Sequence, residues 1–219
     1  MYKVKGKPWA YSGAIDVSDC STAKEVMIKA NLNFEVAKCE LVGKMPIKLT
    51  GTDEELDRII KEQKNGAHVF GTDIYRKCDN AFATYRTDCN IPLGTVRNKY
   101  TIVQNNEAFN FFDDAIGKNS AIWQTAGFWG NGERIFVSAK GDPVENYLVF
   151  TNTHDGSGGV KILFTPIRVV CQNTLNAAIH SSSNYVSFRH TSSVHNKISI
   201  AQEILGISKI KSEEFAQYC

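Results

Sequence analysis

Alternating apolar and polar residues predict three successive strands in the middle of the chain. Residues 134–140 alternate, residues 146–152 contain a buried apolar run, and residues 160–164 form a third apolar segment. Two turn sequences separate these segments: Gly141-Asp142-Pro143 and the glycine-rich segment 155–159. Because such turns return the chain between antiparallel strands, both connections are predicted to be hairpins.

A helix is predicted directly after the third strand. Pro166 is tolerated in a first helical turn, where its missing N–H would have had no partner. The apolar residues that follow at helical spacing are Ile167, Val170, Cys171, Leu175 and Ala178. The sequence therefore predicts a β-β-β-α core at about residues 132–181.

The rest of the chain adds helices and strands around this core. Helical patterns begin near Ser21, Thr52, Asn105 or Asn106, and His195; strand patterns cover residues 34–42, 45–49, 81–86, 94–103 and 185–190. We predict an α+β fold: an antiparallel sheet built on the core, with flanking helices and an additional N-terminal β/α portion. The predicted organisation is an N-terminal arm at 1–20, one α+β domain at 21–208, and the start of a short or truncated C-terminal helix at 209–219.

An aromatic cluster precedes the core. Trp123, Phe128 and Trp129 lie beside three glycines within residues 120–132. Aromatic rings next to glycines can stack on nucleic-acid bases. They can equally form the edge of a hydrophobic core at a tight bend, and the sequence leaves both interpretations open.

Composition describes a globular chain that remains in the compartment where it is made. It has 219 residues, 42% hydrophobic, and no apolar run long enough for a membrane span or a signal peptide. Its six cysteines contain no CxxC pair, which argues against a zinc ribbon and favours free thiols in a reducing cytoplasm. In an oxidising compartment, bridges Cys20–Cys39 or Cys78–Cys89 are the alternative.

Charge is distributed unevenly along a nearly neutral chain. The sequence has 25 Lys and Arg against 23 Asp and Glu, yet no acid occurs between Asp155 and Glu203. The cations in this window are Lys161, Arg168, Arg189 and Lys197. An acid-free, positively charged segment suits a phosphate backbone. Alternatively, a segment rich in Ser, Thr and Asn simply has few charges of either sign.

The candidate nucleic-acid-binding residues are Arg134, Lys140, Lys161, Arg168, Asn173 and Arg189. Arg168 suits bidentate phosphate contact, and Asn173, five residues later on the predicted helix, suits a base edge or a backbone cap. Arg134 and Lys161 lie on neighbouring predicted strands, so a shared face would give a basic stripe. No GxxxxGKS/T or GxGxxG sequence occurs, and no cofactor is predicted.

Catalytic or metal chemistry would need residues that the spacing does not bring together. His154, Cys171 and His180 could form a Cys–His pair or a metal site, but Cys171 is expected on the apolar face of the helix as a small buried residue. His190 and His195 could share a zinc ion, but no second pair of ligands follows. The prediction is therefore no catalytic residue and no metal.

Three motifs resemble a known family. They are Tyr100-Thr101-Ile102-Val103-Gln104-Asn105-Asn106-Glu107-Ala108-Phe109, His154-Asp155-Gly156-Ser157, and Thr165-Pro166-Ile167-Arg168-Val169-Val170-Cys171-Gln172-Asn173-Thr174-Leu175. The chain resembles, over residues 31–205, the phage/plasmid-like proteins of a domain of unknown function. The β-β-β-α architecture also resembles the core of single-strand annealing recombination mediators, which form rings or filaments on DNA.

Together, the residues and these resemblances favour a phage- or plasmid-derived protein in the cytoplasm of a bacterial host. We expect it to bind or anneal single-stranded DNA in recombination or replication, as a homo-oligomer and without a membrane. Two alternatives stay open at this stage. One is a protein-interaction module that inhibits or titrates a host factor, and the other is a metal- or cysteine-dependent enzyme acting on nucleic acid.

Overall fold

The computed structural model describes residues 13–46, 52–70, 73–116, 121–141, 146–182, 185–198 and 200–201. The strands in these ranges are β1 (Ala14–Asp16), β2 (Val36–Pro46), β3 (His68–Phe70), β4 (Asp73–Arg86), β5 (Pro92–Arg97), β6 (Ala121–Trp129), β7 (Arg134–Gly141), β8 (Tyr147–Thr153), β9 (Val160–Thr165) and β10 (Tyr185–Phe188). The helices are α1 (Ala23–Lys29), α2 (Asp53–Lys64), α3 (Asn105–Ile116) and α4 (Gln172–Ser181), and residues 194–198 are also helical. The predicted α+β class is confirmed.

The strands form two antiparallel sheets. The large sheet has six strands in the order β1-β6-β7-β8-β9-β10, so the predicted core strands lie at its centre. The small sheet has the order β2-β4-β3, with β5 also paired to β4. Since β7, β8 and β9 are consecutive in both sequence and sheet, the two predicted hairpins are confirmed.

Both faces of the large sheet are covered, because alternate residues of its central strands are apolar on each side. On the first face, Val137, Phe150 and Ile162 belong to a cluster that includes residues of α1 and α3. On the second face, residues of β7, β8 and β9 pack against Leu175 and Ala178 of α4. The alternation that predicted the strands therefore also determines which helix covers which face.

Helix α4 begins later than the sequence predicts. Residues 166–171 are not helical; Cys171 is the N-cap, and the first helical residue is Gln172. The Thr174 hydroxyl accepts hydrogen bonds from the N–H groups of Val170 and Cys171, both at 2.9 Å. These hydrogen bonds cap the helix at Cys171. Pro166 therefore lies before the first turn, and Cys171 is not on the apolar helix face.

Two further strand expectations are corrected, and two strand segments were not expected. The strands expected at 34–42 and 45–49 are joined as one strand, β2, with a bulge between Glu40 and Val42; residues 47–49 lie outside the described residues. The strand expected at 94–103 ends at Arg97, because the Tyr100 N–H turns back to the Arg97 carbonyl at 3.0 Å. Strand β3 and the first half of β4 had no clear sequence pattern, and their side chains are mostly exposed or half-buried.

The aromatic cluster around Trp123 is part of the core. Trp123 is buried on β6, and Trp129 stacks on Phe136 with ring centroids 4.6 Å apart. Residues 14–16 of the predicted N-terminal arm pair with β6 as the edge of the large sheet. Residues 1–12 of the arm and the predicted C-terminal helix start at 209–219 lie outside the described residues.

Candidate nucleic-acid interface

An open cleft of about 650 Å³ lies where the large sheet meets the small sheet. Residues within three segments line it: 95–100, 156–159 and 187–191. The first segment contains the end of β5, the second is the glycine-rich turn between β8 and β9, and the third continues from β10. We call this site the basic cleft, because its charged lining is positive.

The basic cleft concentrates unpaired positive charge. Among the residues that the structure describes, its lining includes Arg97, Lys99 and Arg189 but no Asp or Glu. All three cationic side chains are exposed, and none has an ion-pair partner among the described residues. Guanidinium and ammonium groups in a cleft without carboxylates are well suited to phosphate oxygens.

The turn that forms one wall of the cleft is held by its own polar residues. The Asp155 carboxylate accepts hydrogen bonds from the Ser157 N–H at 2.9 Å and the Ser157 hydroxyl at 2.7 Å. Gly156 has a φ of 80°, which few residues with a side chain adopt. The His154-Asp155-Gly156-Ser157 motif is thus explained by the turn that it builds.

This turn also approaches β5 closely, at Gly94. A Cβ atom added to Gly94 would lie 2.4 Å from the Asp155 carbonyl oxygen. The contact is with backbone, so a side chain would push the turn away from β5. Glycine at this position therefore allows the turn to lie against β5.

Replacing Gly94 with alanine is expected to lower the free energy of unfolding by about 1–3 kcal/mol, as in other overpacked sites. Urea denaturation would measure the change. Gly43→Ala is the matched control in a strand, since a Cβ there meets the Cys78 sulfur at an ordinary 3.5 Å. Equal stability of the Gly94→Ala variant and the wild type would contradict the close approach.

A buried polar network lies behind the cleft. His154 is fully buried, and its Nε2 lies 2.9 Å from Asn105 Oδ1. Asn105 Nδ2 donates to the carbonyls of Leu32 and Phe34, at 3.0 and 3.2 Å. Because this amide nitrogen faces two acceptors, Oδ1 must face the imidazole, and His154 donates from Nε2. One asparagine thus joins β8 to the chain before β2 and to the start of α3.

A second buried histidine borders the cleft directly. His190 stacks on Tyr100, with ring centroids 4.4 Å apart, and its Nδ1–H donates to the Thr101 carbonyl at 2.9 Å. The Tyr100 hydroxyl donates to the Thr153 carbonyl at 2.8 Å. The two family-like motifs at 100–109 and 154–157 therefore meet in this network.

Burial keeps these side chains uncharged. It lowers the pKa of His154 to about 3, with a smaller contribution from His190, and it also lowers the pKa of His190. The pKa of Tyr100 is raised, first by burial and then by the Asp155 charge. At neutral pH the positive charge of the cleft therefore comes from arginine and lysine alone.

Three of the six predicted binding residues lie at the end of the large sheet that carries the 155–159 turn. Lys161 is directly opposite Ser187, which lines the cleft, and Arg189 follows two residues later. Arg134 lies opposite Thr153 on the same face as Lys161, but β8 separates the two strands that were expected to be neighbours. Two strand spacings and a two-residue offset put Arg134 about 12 Å from Lys161. We refer to these three residues, together with Arg97 and Lys99, as the basic region.

The other three predicted residues lie elsewhere. Lys140 is six residues along β7 from Arg134, about 20 Å away. Arg168 lies before α4 and pairs with Asp16 of β1 at 3.5 Å, at the opposite edge of the sheet from β10. Asn173 is exposed in the first turn of α4, so it shares no helix with Arg168.

Arg97 and Lys99 were not among the sequence candidates. They occupy a stretch that the alternation assigned to a single long strand, so no turn was expected there. The sequence feature that could have identified them is a pair of cations on either side of Asn98, directly before the Tyr100 motif. The turn that closes between Arg97 and Tyr100 is what places both cations at the cleft.

The residues considered for catalysis are held by other partners. His154 bonds to Asn105, and the Cys171 sulfur lies 3.5 Å from the Thr174 hydroxyl, which lowers the pKa of the thiol. His180 is exposed on α4. Within the described residues the cysteines are free thiols, and no group of three or more metal-ligating side chains occurs.

His190 and His195, the two histidines considered for a shared zinc ion, bond to different groups. The imidazole of His190 bonds to the Thr101 carbonyl, whereas His195 Nδ1 lies 2.6 Å from the Glu107 carboxylate at the start of α3. The described part of the chain therefore gives these two histidines different partners. In that same part, no helix has the length and apolar composition needed to cross a lipid bilayer.

These features define an α+β protein with two antiparallel sheets and a basic cleft where they meet. The chain belongs to the family described as a domain of unknown function, DUF932, whose model matches residues 92–219, more than half of the 219 residues. The matched range begins with β5 and contains every residue that lines the cleft. Comparison with curated proteins and with solved structures finds no match.

Proposed function

We propose that this protein binds single-stranded DNA in the basic cleft and along the adjoining face of the large sheet. In this proposal it is a phage- or plasmid-derived protein that acts in recombination or replication. The single observation that carries the proposal is the acid-free lining of the cleft, with Arg97, Lys99 and Arg189 exposed. Lys161 and Arg134 extend the same charge across β9 and β7.

The architecture of the cleft favours a polymer over a small anion. The cleft is open and its cations come from two separate segments, β5 with its following turn and the end of β10. Successive phosphates of one strand can therefore contact successive cations, and each contact releases condensed counterions. Binding of this kind weakens strongly as salt concentration rises.

The proposal is tested by fluorescence anisotropy with a labelled oligothymidine at two salt concentrations. We expect binding at micromolar protein or below that weakens at the higher salt concentration. Absence of binding at micromolar protein, or an affinity that salt does not change, would contradict the proposal. Size-exclusion chromatography of the same samples tests the annealing role, for which we expect a ring or filament on DNA.

Neutralising the cleft should remove most of this affinity. We expect the triple variant Arg97→Ala, Lys99→Ala, Arg189→Ala to bind the oligonucleotide at least tenfold more weakly at low salt, because three phosphate contacts are lost. The control, Lys24→Ala, Lys61→Ala, Lys64→Ala, removes the same charge from exposed positions on α1 and α2. Equal losses in both variants would show that net charge, and not the cleft, determines binding.

A further inference from the structure

An exposed tyrosine lies beside the cations of the basic region, on edge strand β10. Tyr185 is 52% exposed and is directly opposite Leu163 of β9. Two residues further along the same strand, Ser187 is opposite Lys161 and lines the cleft. Because alternate residues share a face, Tyr185, Ser187 and Lys161 are on the same side of the sheet.

Tyr185 differs from the other aromatic residues of the large sheet. Trp123, Phe136 and Phe150 are buried, and Trp129 is stacked on Phe136. By contrast, the Tyr185 ring has no stacking or hydrogen-bond partner among the described residues. Within the described ranges, β10 is the last strand of the sheet, and no strand pairs with its outer side.

The order of side chains along this edge fits an unpaired strand of nucleic acid. Tyr185 and Arg189 are four residues apart, or about 13 Å, and Lys161 is about 5 Å to the side of Ser187. Phosphates held by Lys161 and Arg189 would leave a neighbouring base free to lie on the tyrosine ring. Such stacking needs a base outside a duplex, because paired bases are already stacked on one another.

We propose that Tyr185 is a base-stacking residue that makes the surface select single-stranded over double-stranded nucleic acid. This inference rests on the proposed function and adds a specificity element to the same surface. The positive charges of Lys161, Arg189 and the cleft would contact the phosphates of any nucleic acid. Tyr185 would supply the contact that depends on an unpaired base.

The test compares Tyr185→Leu and Tyr185→Phe with the wild type by anisotropy. The probes are an oligothymidine, an abasic strand of the same length, and a duplex. We expect Tyr185→Leu to weaken oligothymidine binding about tenfold, as for the loss of one stacked base, and Tyr185→Phe to bind within about twofold of the wild type. On the abasic strand and on the duplex, all three proteins should bind equally.

Phe70→Leu is the matched control, since Phe70 is an exposed aromatic residue on β3 of the small sheet. It should bind all probes like the wild type. Unchanged oligothymidine binding by Tyr185→Leu would overturn the stacking role and leave the proposed function standing. Equal weakening on the abasic strand would also overturn it, because that strand has no base to stack. Failure of the wild type to bind any probe would instead contradict the proposed function.

Discussion

Replacing Asn105 with alanine is expected to lower the free energy of unfolding by about 4 kcal/mol. Asn105 is buried and makes three hydrogen bonds, to the carbonyls of Leu32 and Phe34 and to the imidazole of His154. Alanine would leave all three partners buried and unpaired, and each such group costs about 1–3 kcal/mol. The sum exceeds the effect of an ordinary core substitution in a domain of this size.

Urea denaturation followed by circular dichroism would measure this loss, with the m-value checking that unfolding stays cooperative. Asn98→Ala is the control: Asn98 is exposed, its side chain donates to Asn80 Oδ1 at 3.1 Å, and its carbonyl, which accepts from Lys38, is kept in the alanine variant. It should change stability by less than about 0.5 kcal/mol. A loss below about 1 kcal/mol for Asn105→Ala would contradict the three buried hydrogen bonds assigned to Asn105.

Acid should destabilise the protein through His154. The unfolded chain binds a proton at the ordinary histidine pKa of 6.5, whereas burial lowers the pKa of His154 in the folded protein to about 3. Between these values the unfolded state binds more protons, so stability falls as the pH decreases. His154 alone should remove about 3 kcal/mol between pH 7 and pH 4, with a contribution of the same sign from His190.

The His154 contribution can be separated from that of the carboxylates with His154→Gln. Glutamine can still donate a hydrogen bond to Asn105 but does not titrate. We therefore expect the stability of the wild type to approach and then fall below that of the variant as the pH decreases from 7 to 4. Parallel stability curves for the two proteins over this range would contradict a buried, neutral His154.

The central strands and α4 were predictable because their signals are local. Alternation in β7 and β9, the apolar run in β8 and the turn residues between them fall within short segments of sequence. The start of α4 was harder to predict. Pro166 favours a first helical turn at 166, whereas the Thr174 side chain caps the helix by accepting from the N–H groups of Val170 and Cys171. Such a cap depends on side-chain geometry that spacing alone does not reveal.

The candidate site was predictable only in part, because it depends on contacts between distant segments. The acid-free window marked Lys161 and Arg189, which the structure places near each other: Lys161 is opposite Ser187, and Arg189 is two residues beyond Ser187. It also included Arg168, which the path of residues 166–171 brings to Asp16 at the far edge of the sheet. Arg97 and Lys99 lie outside that window, and only the contact of the small sheet with the 155–159 turn brings them to the same cleft.

His154 illustrates the same limit for chemistry. In the sequence it was a histidine beside a glycine-rich turn, and a turn alone explained its presence. The structure shows that it is buried against Asn105, a residue 49 positions away that was expected only as a helix cap. The pairing of the 100–109 and 154–157 motifs therefore has a structural role that neither motif reveals separately.

The most direct test of the proposed nucleic-acid site is the salt dependence of oligothymidine binding. It is measured for the wild type and for the Arg97, Lys99 and Arg189 triple variant. For a single strand, each lost phosphate contact should reduce the slope of log K against log salt by about 0.7, so we predict a decrease of about 2. The Lys24, Lys61 and Lys64 variant should keep the wild-type slope. Equal slopes for the wild type and the cleft variant would contradict the assignment of the basic cleft as the nucleic-acid site.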